Sequence, residues 1–112
     1  MIEQVVLEYL SEQLPDPVRL ETEEGLPERF YIVEKTGGTR VNHICRSMLA
    51  IQSYAGRMAD AAAMNEELIE TMLHGLVTLP EISSVSLNSN YNYTDTEKEG
   101  YRYQAVFDIT HY

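Results

Sequence analysis

The sequence has one cysteine, no long apolar run and no basic leader. Because Cys45 has no partner, it cannot form an intramolecular disulfide, and we expect a chain made in a reducing cytoplasm. No stretch approaches the roughly 18 apolar residues of a membrane-spanning helix. Residues 1–10 carry acids where a signal peptide needs basic residues, and no cleavage site follows. These absences predict a protein that is neither exported nor bound to a membrane.

Positive charge is also scarce, with 8 basic against 18 acidic residues and a net charge of −10. The imbalance is strongest in residues 1–34, which hold nine acids and two arginines. Such a surface repels a phosphate backbone, so we expect no specific binding of nucleic acid. Acidity usually serves solubility alone. One functional alternative remains open, namely an acidic wall that keeps passing DNA from sticking.

A chain of 112 residues suits a single domain, here residues 1–112, and no repeat, low-complexity segment or linker is visible. Hydrophobic periodicity predicts helices over residues 2–13 and 57–76, and strands over 18–22, 29–35, 48–54, 85–94 and 101–109. Thr36–Thr39 contains two glycines and is predicted to be a tight turn. The order α-β-β-β-α-β-β predicts an α+β domain with a mostly antiparallel sheet and both helices packed on one face.

The last 28 residues give the clearest pattern, a long β-hairpin with an acidic tip at Asp95–Gly100. Bulky residues occupy the odd positions of both arms, so the residue numbers of each pair should have an even sum. We expect a sum of 194, which gives the pairs Tyr93–Tyr101, Tyr91–Tyr103 and Leu87–Phe107. A tyrosine-rich hairpin of this length resembles an arm that projects toward a partner.

Catalytic motifs are missing: the sequence has no GxSxG, GxxxxGK[ST], GxGxxG or HExxH. His43 and Cys45 lack a second pair of ligands for zinc, and we interpret them as ordinary loop residues. Glu66, Glu70 and His74 are spaced to share one helix face, which we interpret as a solvated face. The sequence therefore predicts no enzyme, no cofactor and no metal site.

The hairpin tyrosines have two explanations, which can hold together. Cross-strand aromatic pairs stabilise a hairpin, and tyrosine with arginine is also typical of interface cores. The candidate interface residues are Tyr91, Tyr93, Asp95, Glu97, Lys98, Glu99, Tyr101, Arg102 and Tyr103.

Three stretches resemble a known family. They are PERFYIVEKTGG (Pro27–Gly38), LAIQSYA (Leu49–Ala55) and YRYQAVFDI (Tyr101–Ile109). In this order and spacing they resemble the small tail terminator, or tail completion, proteins of siphovirus-type tailed phages and prophages. The family's first pattern is P-x-R-F-V-x-V-x-x-T-G-G, and this chain departs from it at Tyr31, where valine is more usual.

The resemblance implies an α+β domain that forms a six-membered ring on the head-proximal end of the tail tube. Such a ring ends tube polymerisation and provides the docking surface for the head connector, while DNA only passes through the lumen. It implies three partners: other copies of the chain, the tail tube protein and the head–tail connector or stopper protein. The protein is then expected in the virion neck after synthesis in the bacterial cytoplasm.

Two other functions remain open on the sequence alone. A head-side stopper or connector ring belongs to the same neck and has a similar size, so the motifs do not exclude it. A monomeric module could instead use the C-terminal hairpin to bind a host protein. Concentration-dependent ring formation would argue against that module.

Overall fold

The computed structural model describes the whole chain, Met1 to Tyr112, as two helices beside one five-stranded sheet. The helices are α1 (Ile2–Gln13) and α2 (Met58–Gly75), and a 3-10 turn, Leu76–Thr78, follows α2. The strands are β1 (Val18–Arg19), β2 (Phe30–Val41), β3 (Ile44–Ala55), β4 (Ile82–Asn92) and β5 (Tyr101–His111). This order confirms the predicted α+β class.

The two helices pack on the same face of the sheet. In α1, Ile2, Val6 and Leu10 recur every four residues and are buried. The Tyr9 hydroxyl donates a 3.0 Å hydrogen bond to the Thr71 carbonyl oxygen, which joins α1 to α2. Twenty buried apolar residues from both helices and the sheet form one core between these layers.

The predicted boundaries of the helices hold within two residues. The buried side chains of α2 are Ala61, Met64, Asn65, Leu68, Ile69 and Met72, while Met58 at its start is exposed. The first strand is shorter than the predicted residues 18–22, because only Val18 and Arg19 pair with β2.

The sheet has the order β1-β2-β3-β5-β4, and all its pairs are antiparallel except β1 with β2. β5 pairs with β3 along its whole length, from Tyr101 opposite Ala55 to His111 opposite Cys45. The C-terminal hairpin forms as predicted, but the expectation of a free projecting arm is wrong. Since β5 lies inside the sheet, only the connection of residues 93–100 extends beyond the paired strands.

The predicted turn at Thr36–Thr39 is also wrong. The strand continues past these residues, with a bulge between Lys35 and Gly37, and ends at Val41. The chain reverses at Asn42 and His43, whose φ angles are 50° and 66°. Two consecutive positive φ angles are typical of the type I′ hairpin turn, which asparagine tolerates well. β2 and β3 are therefore longer than predicted.

Candidate functional site

The sheet face turned away from α1 and α2 carries no other element, and we call it the open face. Three apolar side chains on this face are buried although they lie outside the main core. They are Ile32, Ala50 and Val106. Ala50 lies directly opposite Val106, and Ile32 directly opposite Gln52, so their side chains leave the same face. β2, β3 and β5 thus present apolar groups on both faces.

A bulge in β4 places two of the hairpin tyrosines on the open face. Leu87 lies opposite Phe107 as predicted, but the register shifts between Leu87 and Ser89. Beyond the shift, Tyr91 lies opposite Gln104, so the predicted pairs of Tyr91 with Tyr103 and of Tyr93 with Tyr101 are wrong. Because side chains alternate between faces, the extra residue turns the rest of β4 over.

One row of the open face combines three aromatic rings with an arginine. Phe30 stacks on Tyr54 with ring centroids 4.5 Å apart and an interplanar angle of 11°. The Arg102 guanidinium carbon lies 4.7 Å from the ring centroid of Tyr93 and 5.7 Å from that of Tyr54. Its Nε donates a 2.7 Å hydrogen bond to the Tyr93 carbonyl oxygen, and Nη1 donates a 3.0 Å bond to the Tyr54 hydroxyl. We call Phe30, Tyr54, Arg102 and Tyr93 the aromatic–arginine row.

A second row is polar and supports the first. Gln52 Nε2 donates a 2.6 Å hydrogen bond to Gln104 Oε1, and Gln104 Nε2 donates another of 2.6 Å to the Tyr91 hydroxyl. Both glutamines are buried, so these bonds offset the loss of their hydration. The chain of bonds fixes the position of Tyr91, a residue that remains 42% exposed.

The structure divides the predicted interface residues into three groups. Tyr91, Tyr93 and Arg102 lie together on the open face. Tyr103 packs against the main core, and Tyr101 lies beside the end of β3, opposite Ala55. The remaining four belong to the exposed connection between β4 and β5.

Within that connection Asp95 has a local structural role. Its Oδ1 accepts a 3.0 Å hydrogen bond from the Glu97 amide, and its carbonyl oxygen accepts one of 3.1 Å from the Lys98 amide. Asp95 therefore shapes the turn. Glu97, Lys98 and Glu99 are exposed.

Sequence reasoning missed four members of the two rows: Phe30, Tyr54, Gln52 and Gln104. The sequence carries a signal for an apolar open face, although not for these four residues individually. In Phe30–Val33 and Met48–Ile51 both the odd and the even positions are apolar or aromatic. A strand that faces water on one side alternates apolar with polar residues, so an unbroken apolar run indicates that both faces are covered.

Other groups that could bear chemistry are scattered. His74 Nε2 lies 2.9 Å from a Glu70 carboxylate oxygen on the exposed face of α2, and Ser47 Oγ lies 2.8 Å from His111 Nε2. Burial and the nearby carboxylates of Glu67 and Asp16 raise the pKa of Tyr31. No group of three or more His, Cys, Asp or Glu side chains is placed to hold a metal ion. The arrangement that the fold does assemble is a contact surface of aromatic rings and arginine.

Neither the protein-family models nor the curated proteins provide a match for this chain. Neither of the two helices has the length and hydropathy needed to cross a membrane.

Proposed function

We propose that this chain is a structural subunit of the neck of a siphovirus-type tailed phage or prophage. In this proposal it acts as a tail terminator, forming a ring on the head-proximal end of the tail tube. The ring stops further addition of tube subunits and gives the head connector a docking surface. The chain has no catalytic role, and DNA only passes through the lumen.

The main support for this proposal is the position in the sheet of the three stretches that resemble tail terminator proteins. Pro27–Gly38 covers most of β2, Leu49–Ala55 belongs to β3, and Tyr101–Ile109 lies in β5. These three strands are adjacent. The likeness therefore concerns one continuous surface of the molecule and not three unrelated segments.

The open face supports a role in assembly. Tyrosine and arginine are enriched at the centres of protein interfaces, and Tyr91, Tyr93 and Arg102 are partly exposed on a rigid sheet. Hydrogen bonds hold Tyr91 and Arg102 in place before any partner arrives. Preorganised side chains lose little conformational entropy on binding.

Electron microscopy of particles made without this gene tests the function. The proposal expects overlong tails lying free beside DNA-filled, tailless heads, and restoration of normal particles by the wild-type gene supplied on a plasmid. Tails of normal length beside heads that have leaked their DNA would instead place the protein on the head side, as a stopper. Intact, infectious virions would overturn the structural role.

A further inference from the structure

The hairpin at one end of the molecule differs in charge from the rest of the chain. Residues 35–46, which we call the basic hairpin, contain Lys35, Arg40 and Arg46 and no acid, although the whole chain has a net charge of −10. Every residue from 34 to 44 is exposed. Neither Arg40 nor Arg46 forms an ion pair within the chain. The hairpin therefore presents unpaired positive charge to solvent.

The same hairpin exposes apolar side chains. Val41 and Ile44 lie directly opposite each other across the turn, and their exposed fractions are 67% and 45%. Arg46 is two residues from Ile44 along β3, so it leaves the same side of the hairpin. An exposed apolar pair beside an arginine is typical of a docking element.

A groove at the other end of the sheet has aromatic walls and carboxylates, so it complements the apolar pair and the positive charge of the basic hairpin. Its volume is about 520 Å³, and its walls include three aromatic rings and two carboxylates. They belong to Phe30, Tyr54, Tyr101, Glu28 and Glu99. Both glutamates are exposed, and neither forms an ion pair within the chain. We call this surface the aromatic groove.

The hairpin cannot reach the groove of its own chain. β2 begins at the groove and ends at the hairpin turn, and a strand of 12 residues spans roughly 40 Å. The long dimension of the molecule, 44 Å, agrees with this length. A hairpin that occupies an aromatic groove must therefore come from a second molecule.

We infer that the basic hairpin of one copy docks in the aromatic groove of the next copy. Val41 and Ile44 contact the aromatic rings, and Arg46, on the same side, pairs with Glu28 or Glu99. Arg40 leaves the opposite side of the hairpin and adds to its positive charge. Contacts between two hairpins or between two grooves bring like charges together, so a contact of one copy's hairpin with another copy's groove is favoured over both. Such a heterologous contact closes into a ring when the rotation between copies allows it. The inference rests on the proposed function, because it names the contact by which the ring closes.

Paired charge reversals test this contact. The hairpin variant is Arg40→Glu with Arg46→Glu, and the groove variant is Glu28→Arg with Glu99→Arg. The four positions are exposed and lack ion-pair partners, so both variants should fold, as circular dichroism can verify. Each variant alone should remain monomeric in sedimentation velocity at concentrations where the wild type associates. An equimolar mixture should associate again, because every hairpin then meets a groove of opposite charge.

A matched control has the same charge change at another site. Glu66→Arg with Glu70→Arg alters the exposed face of α2, and this protein should associate like the wild type. Raising the salt concentration should weaken association of the wild type, since the Debye length falls from about 10 Å at 0.1 M to about 3 Å at 1 M.

Three results would overturn the contact. A wild-type chain that stays monomeric at every protein concentration and ionic strength contradicts it. A mixture that fails to associate, when the wild type does, assigns the assembly to another surface and leaves the neck function standing. Binding of a short DNA duplex that depends on Arg40 and Arg46, by a chain that stays monomeric, identifies the hairpin as a phosphate-binding element. The gene deletion tests the neck function separately, since normal particles would refute it even if the copies associate.

Discussion

Tyr91 lies directly opposite Gln104 and accepts a 2.6 Å hydrogen bond from its side-chain amide. This pairing shows that β4 is offset by one residue beyond its bulge. It also places the Tyr91 ring on the open face.

Removing the Tyr91 hydroxyl should therefore destabilise the fold. In Tyr91→Phe, the buried Gln104 amide loses its acceptor, and we expect a loss of about 1 kcal/mol in the free energy of unfolding. Urea denaturation measures this loss. Tyr101→Phe is the matched control, because Tyr101 is 39% exposed and its hydroxyl can bond to water, so the change should be nearly neutral. Equal shifts of the two urea midpoints would contradict the observed register.

Arg102 should not tolerate replacement by lysine, although the charge is kept. A lysine cannot reproduce the planar guanidinium that lies over Tyr93 while donating to the Tyr93 carbonyl and the Tyr54 hydroxyl. We expect Arg102→Lys to lower the free energy of unfolding by about 1–2 kcal/mol in urea denaturation. Arg57→Lys, at an exposed arginine outside every ion pair, is the control. A neutral Arg102→Lys would show that the aromatic–arginine row adds little to stability.

The turn at Asn42 and His43 predicts a stabilising substitution. His43 has a φ of 66°, in the left-handed region that glycine adopts without strain, and Asn-Gly is the preferred type I′ pair. We expect His43→Gly to raise the free energy of unfolding by roughly 0.5 kcal/mol, after the larger entropy of the unfolded glycine is subtracted. Gly37→Ala is the contrasting variant, because an added Cβ meets open space there, and it should be tolerated. A strong loss of stability in Gly37→Ala would contradict this structure and favour a turn at Gly37 and Gly38 instead.

How much of this structure the sequence predicts depends on the range of the interaction involved. The apolar periods follow from local geometry, and they correctly predict both helices, the C-terminal hairpin and the α+β class. The register beyond Leu87 depends on distant partners, such as Asn65, whose amide donates a 3.3 Å hydrogen bond to Asn90 from α2. The predicted pairing assumed that odd and even positions alternate without interruption along both strands. Such a pattern cannot locate a bulge.

The same limit applies to the turn and to the candidate surface. Gly37 and Gly38 have the local chemistry of a turn, but pairing with β3 keeps them in a strand. The sequence predicted Tyr91, Tyr93 and Arg102 as interface residues, and the structure places them together. Phe30 and Tyr54 join them through pairings with residues far along the chain, so no local pattern could have grouped them.

The two helices approach closely at Gly75 and Tyr9. The effect of Gly75→Ala on stability should therefore change sign when Tyr9 is replaced. An alanine methyl at Gly75 would collide with the Tyr9 hydroxyl, which lies against this position. Gly75→Ala should therefore destabilise the protein by about 1–3 kcal/mol, although alanine favours a helix by about 1 kcal/mol over glycine. In a Tyr9→Leu background the collision is removed, and Gly75→Ala should become stabilising. A double-mutant cycle in urea measures the coupling, and additive effects would contradict it.

Tyr31 predicts how stability depends on pH in the alkaline range. Its hydroxyl is buried without a hydrogen-bond partner, and desolvation raises its pKa in the folded state above the usual value of 10.0. As the pH rises past 10.0, the unfolded chain loses this proton and the folded chain keeps it, so the folded state binds more protons and stability falls.

In Tyr31→Phe the group that titrates is absent, so the decrease in stability between about pH 10 and 12 should be smaller. Burial also raises the pKa of Tyr9, so part of the decrease should remain. Near neutral pH the variant should be as stable as the wild type or more so, because it removes an unsatisfied buried hydroxyl. Urea midpoints measured at intervals from pH 7 to 12 compare the two proteins, and parallel curves would show that Tyr31 does not control alkaline unfolding.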